Sequence, residues 1–181
     1  MVRPVAFVSS CASPRREQLA EVCQDPSLMD VSEREAMAKA IVDGNSYMTL
    51  GTADVAGVPW ASPVWYAPAS YLEYFWVSRP GARHSQNIAV RPQVGIVIFD
   101  STVPINTGKA LYMAALAEQV TDDGEIARGM SVFSERSLAQ GARVWTPEEV
   151  GPSGRVRLYR ARASEQFVLS PEDERLPLVL E

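Results

Sequence analysis

The chain has 181 residues, of which 46% are hydrophobic and 22% charged, a balance that supports one packed domain and excludes general disorder. Its formal net charge of −5 leaves no clustered basic face for phosphate neutralisation, so nucleic acid is excluded as a partner. No window holds the ~20 apolar residues of a membrane span and no apolar run of signal length follows Arg3, so no membrane contact is expected and the expected location is cytoplasmic.

Residues 1–30 contain Pro4, Pro14, Pro26 and several serines without sustained periodicity, and read as a loosely ordered N-terminal arm with at most one short helix from Arg15 to Cys23. Both cysteines, Cys11 and Cys23, fall here with no second Cys or His at metal spacing, so reduced thiols and no metal site are expected. The folded domain is expected over 31–170, followed by an acidic, proline-bearing tail over 171–181.

Ser32 is placed to cap a first helix, with Glu35 three residues on, an apolar stripe of Met37, Ala40 and Ile41, and Gly44 as its stop. From Tyr47 to Thr52 the period becomes that of a strand, and Asp54 to Gly57 is a hairpin turn. The second strand spans Val58 to Tyr66, where Pro59 and Pro63 mark an edge or a backbone that faces a ligand. A third, aromatic-rich strand runs from Leu72 to Ser78. Ala82 to Val90 forms a short helix that ends before Pro92.

The apolar run Val94 to Phe99 is a fourth strand suited to a barrel interior, and a polar connection from Asp100 to Gly108 leads to a fifth ending at Val120. A helix over Glu125 to Ala139 puts Ile126, Met130 and Phe133 on one face. Another helix is expected after Thr146, then strands over Arg155 to Ala163 and Gln166 to Leu169. No internal repeat occurs. Short connections leave no room for crossover helices between the first three strands, so the order predicts an α+β fold built on a small antiparallel barrel with peripheral helices.

The turn from Ser78 to Ser85 combines hydroxyls, Arg79, Arg83, His84 and the free N–H groups of a helix start. Those are the donors a phosphate group needs, although a solvated surface turn has the same composition. Met48-Thr49-Leu50-Gly51-Thr52, Ala61 to Tyr66, Tyr74 to Ser78, Ala82 to Ile88 and Val94 to Val97 follow one another in an order that resembles the flavin-binding split-barrel family typified by pyridoxamine 5'-phosphate oxidase. The resemblance covers roughly Val31 to Leu169. It implies a six-stranded antiparallel split β-barrel, a homodimer, and FMN in a cleft between subunits.

By the same resemblance, Ser78, Arg83 and His84 would hold the FMN phosphate, with Arg79 as a second contact, and Ser62, Pro63, Val64 and Trp65 would lie along the isoalloxazine. Lys109, at the mouth of the fifth strand, would meet an anionic part of the ligand or stay solvated. Ser62 stands where many members have Arg and His84 where Lys is usual, so the phosphate grip is arranged differently. The Arg-x-His-Asp-Arg-like substrate motif is absent, since Arg157-Leu158-Tyr159-Arg160 stands there, and true pyridoxamine phosphate oxidase activity is not expected.

The resemblance implies a flavin oxidoreductase acting on an unidentified small-molecule substrate, with no catalytic side chain assigned because the flavin carries the hydride. Backbone N–H groups near Val64 and Trp65 would stabilise the reduced ring. A group from the partner subunit would cover its open face, with Trp145, Tyr159 and Phe167 as candidates, or else as core or interface packing residues. One alternative is a deazaflavin cofactor with an anionic tail met by Arg79, Arg91 and Lys109. Another is a non-catalytic flavin or heme carrier, for which His84, the sole histidine, would be the axial ligand. Arg155, Arg157, Arg160 and Arg162 form a basic strand expected to pair with Glu172-Asp173-Glu174 or with acidic groups of a ligand.

Overall fold

The computed structural model describes residues 29–178 and 180; the expected N-terminal arm, its short helix, Cys11 and Cys23 lie outside the described residues, apart from Met29 and Asp30. Asp30, and not Ser32, caps α1 (Val31–Gly44): its carboxylate accepts from the Glu33 backbone N–H while the Glu33 side chain accepts from the Asp30 N–H. The capping box therefore starts two residues earlier than expected. Ala38, Ile41 and Val42 form the buried stripe of this helix.

Among the described residues eight strands follow, not six: β1 (Tyr47–Ala53), β2 (Pro59–Trp65), β3 (Ala67–Ser70), β4 (Glu73–Ser78), β5 (Gln93–Phe99), β6 (Ala110–Gln119), β7 (Arg157–Leu169) and β8 (Arg175–Leu178). α2 (Arg83–Val90) lies between β4 and β5, and α3 (Asp123–Ala139) between β6 and β7. The helix expected after Thr146 is a single 3-10 turn, Pro147–Glu149. The sheet is antiparallel in the order β2-β1-β5-β6-β7-β4-β3, with β8 on β7.

That order explains the barrel. β2 and β3 occupy opposite ends of the sheet, yet one residue, Tyr66, joins them. The sheet must curl until its ends meet there, and the seam is the split of the α+β split barrel. Tyr66 is fully buried, donates its hydroxyl to the Val42 carbonyl at 2.7 Å and packs edge-on against Tyr74 at 5.8 Å.

Two apolar clusters result. Met48, Leu50, Tyr74, Trp76, Ile96, Ile98, Leu111 and Tyr159 belong to the main one, where Trp76 stacks on Tyr159 with centroids 5.6 Å apart. Phe75, on the opposite face of β4, joins Met130, Phe133, Val150 and Leu158 beneath α3. β4 is thus buried on both faces, which is why its sequence is aromatic without alternation.

β7 is one strand where two were expected. A register shift opposite Ala114 and Ala115 leaves Ser164 as an extra residue, and the strand bends there. Its first half pairs with β6 and β4, and its second half pairs with β6 and β8. The segment expected as a tail supplies β8 and buries Leu176, Leu178 and Leu180.

The arginines of β7 meet neither that segment's acids nor the cleft described below. Arg160 is bound by Glu118 and Glu125, each at 2.5 Å, and Arg162 by Glu73 at 3.1 Å. Arg157 donates to the carbonyls of Pro152, Gly154 and Val156. Glu73 also receives Arg128 at 2.8 Å. Burial alone would raise its carboxyl, but the Arg128 and Arg162 guanidiniums outweigh burial and hold it below the usual range. A lowered folded value means stability that is present above the ordinary pKa and lost as pH falls through the folded one. Glu73→Gln should therefore cost about 1–3 kcal/mol at neutral pH and flatten the acid limb of a melting-temperature profile below about pH 4.5. An unchanged acid limb would show that this cluster does not couple to folding.

Candidate functional site

The residues around the seam enclose an open cleft of about 590 Å³. β2 contributes Pro63, Val64 and Trp65, the start of β1 contributes Tyr47, preceded by Ser46, and the end of β4 contributes Val77 and Ser78. The registers hold these pieces together, Tyr47 standing opposite Trp65 and Ser78 opposite Arg157. His84 enters from the first turn of α2, while Phe133 and Ser137 enter from α3 and Gln140, Ala142 and Trp145 from the loop after it. No lining side chain carries a full charge at neutral pH.

One corner is polar. His84 Nε2 lies 2.7 Å from Ser78 Oγ, and His84 Nδ1 lies 3.2 Å from Ser62 Oγ. Ser62 Oγ also accepts from the Trp60 indole N–H at 3.0 Å. Behind this row, Asn87 of α2 donates to Thr52 of β1 at 2.9 Å, and the Thr52 hydroxyl donates to the Trp60 carbonyl at 3.2 Å, seating the helix against the sheet. Burial pulls the His84 imidazole below its ordinary value, so the ring is neutral at pH 7.

The start of α2 adds donors to the same corner. Ala82 is its N-cap and supplies no side-chain bond, and no acid lies in the first turn. α1 and α3, by contrast, are capped by Asp30 and Asp122. The first-turn N–H groups of α2 are thus left without a capping side chain, at the positive end of the helix dipole.

The opposite wall is aromatic and rigid. Trp65 meets Phe133 edge to face at 4.7 Å, and Phe133 meets Trp145 in the same way at 5.4 Å. Trp65 Nε1 donates to Gln140 Oε1 at 2.7 Å. The loop is laced back onto α3: the Ser134 hydroxyl donates to the Trp145 carbonyl at 2.6 Å and accepts its N–H at 2.8 Å, and Ser137 donates to the Arg143 carbonyl. Gly141 takes φ +76°, a left-handed turn that glycine adopts without strain. Arg143 lies 3.9 Å from the centroid of Trp145's ring and is paired with Glu149.

Five of the residues expected along the cofactor, Pro63, Val64, Trp65, Ser78 and His84, line this cleft, and Ser62 stands just behind it. Arg83 does not join them. Its guanidinium lies 4.6 Å from the Trp60 ring centroid and 4.0 Å from Asp54, because successive helix positions diverge by about 100°. Arg79 is exposed and makes no ion pair among the described residues. Lys109 is exposed too, and lines a separate cavity of about 360 Å³ with Asp100, Val103 and Thr107 against the end of α1. Arg91 donates to the Asp54 carbonyl. The cations expected to meet an anionic tail therefore do not converge.

Trp145 lines the cleft of its own chain, where cover from the partner subunit was expected. Tyr159 is buried against Trp76, and Phe167 stands opposite Tyr112 in the β6–β7 ladder, both away from the lining. Gln140 and Ala142 escaped sequence reading, since nothing local tells a loop after a helix which cavity it will close, and so did Ser137, a polar residue on α3 outside the apolar stripe that was read. Phe133 was legible only as part of the apolar face of α3. No group of three or more His, Cys, Asp and Glu able to hold a metal ion occurs among the described residues, and no helix there is long and apolar enough to cross a membrane.

Among solved structures, the fold is similar to a heme binding protein from Mycobacterium smegmatis (TM-score 0.63, 19% identity, covering 79% of this chain and 56% of that one). HutZ, the heme storage protein of Vibrio cholerae, superposes with TM-score 0.59 at 23% identity over 77% of this chain and 95% of its own. A putative 5-nitroimidazole antibiotic resistance protein from Bacteroides thetaiotaomicron gives TM-score 0.63 at 12% identity, over 75% and 83%. At these identities the likeness shows the fold alone. No curated protein matches the chain. The model of one sequence family, described as pyridoxamine 5'-phosphate oxidase, matches residues 35–170, which take in every strand but β8 and the whole lining of the cleft: the chain belongs to that family.

Proposed function

We propose that the chain is an FMN-binding oxidoreductase of this family acting on a small molecule. The observation that carries the reading is the meeting, in one cleft, of the free edge of β2 with the Ser78–His84 corner and the start of α2, which no side chain caps. Pro63, Val64 and Trp65 offer an apolar face and unpaired edge backbone to a planar ring. Ser78, His84 and the first-turn N–H groups form a donor set that fits a phosphate. A bound flavin supplies hydride transfer, while Trp65, Phe133 and Trp145 orient the ring and exclude water.

The cleft is open on one side, and we propose that a second copy of the chain closes it. Ala61, Gly51, Gly95 and Ala114 stand side by side across β2, β1, β5 and β6, a flat patch of small residues continuous with the exposed Pro63. Light scattering should return twice the chain mass of 19.8 kDa.

A heme-binding reading has one supporting observation, the single histidine at an aromatic cleft. Against it, both ring nitrogens of His84 are engaged by serines, and iron ligation would break the contact to Ser78 or the one to Ser62. Titration separates the readings. FMN should bind saturably, with quenched flavin fluorescence and a shifted visible band, and riboflavin should bind more weakly. A saturable hemin Soret shift without FMN binding would overturn the flavin reading in favour of heme, and uptake of neither ligand would remove both.

A further inference from the structure

We propose that His84 is the counter-ion this chain uses for the phosphate of its ligand, and that it acquires that charge only on binding, so that each phosphate-bearing ligand bound brings one proton with it. The proposal rests on the reading of the cleft as a phosphate-ligand site and adds how the site obtains its positive charge.

The geometry leaves no other source among the lining residues. The groups around the imidazole are the hydroxyls of Ser62 on β2 and Ser78 on β4, and the rest of the lining on β1, α3 and the following loop holds only Tyr47 as a titratable group. Arg83, the adjacent cation, is held outside by Trp60 and Asp54, and Arg79 is exposed in the preceding turn. Desolvation is the one cause acting on the ring, so the empty corner disfavours imidazolium.

The hydrogen bonds show how charge and ligand are coupled. In the neutral ring one nitrogen must accept a proton from a serine hydroxyl. In the imidazolium both nitrogens donate, so both serines must accept. Ser62 then takes one bond from His84 and one from the Trp60 indole, using its two lone pairs. Ser78 accepts from Nε2, and its own hydroxyl proton must point elsewhere. A phosphate oxygen over Ser78 accepts that proton and supplies the charge that stabilises imidazolium, while water supplies only the first. Phosphate and proton therefore bind together.

Calorimetric titration with FMN and riboflavin, in two buffers of different ionisation enthalpy, reads the proton directly. Between about pH 7 and pH 8.5 the phosphate is already dianionic, so any proton taken up belongs to the protein. FMN should bind with uptake approaching one proton, and its affinity should fall by up to tenfold per pH unit across this window. Riboflavin should show neither effect. His84→Lys, which carries its charge before binding, should bind FMN without proton uptake and with a flat pH profile over the window. FMN binding to the wild type with no proton uptake would overturn the proposal while leaving the flavin reading intact; absence of FMN binding would overturn the flavin reading itself. Equal uptake in the wild type and His84→Lys would place the proton elsewhere and also reject it.

Discussion

Gly129→Val should lower the melting temperature by roughly 6–12 °C, the equivalent of about 3 kcal/mol for a chain of this size. Gly129 is buried in α3 where the helix crosses the sheet, and a Cβ there would stand 2.7 Å from Leu158 Cδ2 and 2.8 Å from Phe75 Cε1. Leu158 can swing its methyl aside, but the Phe75 ring lies in the cluster shared with Met130, Phe133 and Val150 and has little room. Valine adds two further methyls and forces the helix outward. Gly129→Ala brings the same Cβ against Leu158 and Phe75 and should destabilise too, by less than valine because it adds no further methyls and recovers about 1 kcal/mol of helix propensity. The displacement also reaches function, since Phe133, one turn on, is a wall of the cleft. A thermal melt of the valine variant within a degree or two of the wild type would show that α3 does not seat this closely.

Ser78→Asp should fold normally yet weaken FMN at least thirtyfold while leaving riboflavin nearly unchanged. A carboxylate at the end of β4 stands where the phosphate is expected. Two unit charges 4 Å apart at an effective dielectric of 20 repel by about 4 kcal/mol, and solvation of the open corner together with pairing of the new carboxylate to His84 cuts this to about 2 kcal/mol, a factor near thirty. Riboflavin has no phosphate and serves as the control for the ring half of the site. Equal loss of both ligands would mean that Ser78 shapes the whole cleft, and loss of neither would place the phosphate elsewhere.

How far the sequence foretold these features depended on how local their causes are. β1 and β5 were legible because a strand period with its hairpin turn, or a continuous apolar run, acts over a few residues, β6 because a polar connection precedes it, and α2 because Pro92 fixes its end. The break at Tyr66 was not, since Val58 to Tyr66 and Ala67 to Ser70 differ only in their partners, β1 at one end of the sheet and β4 at the other. β8 left a trace in the alternation of Leu176, Leu178 and Leu180, masked by Pro177 and the acids before it. The cleft residues from β2, β4 and α2 emerged through their order along the chain. The orientation of Arg83 did not, for Trp60 and Asp54 set it, and the loop bearing Gln140 and Trp145 owes its place to hydrogen bonds with Ser134 and Trp65. The arginines of β7 pointed to acids nearby in sequence, while their partners Glu73 and Glu118 come from distant strands.

The pairing of β4 with β7 also orders events during synthesis. Ser78 is held in line by Arg157, a residue made only after five further elements have left the ribosome. Until then β4 has β3 on one side and an open edge on the other, a template for mispairing with another nascent chain. A chain arrested before β7 would carry all the residues of that polar corner, Ser62, Ser78, His84 and the start of α2, but not the strand that holds β4 in line. On the FMN reading proposed above, the cofactor would be loaded only after β7 has been made. Closure of the sheet waits for β7 (Arg157–Leu169), and the sequence distance that its pairing with β4 spans makes that closure slow.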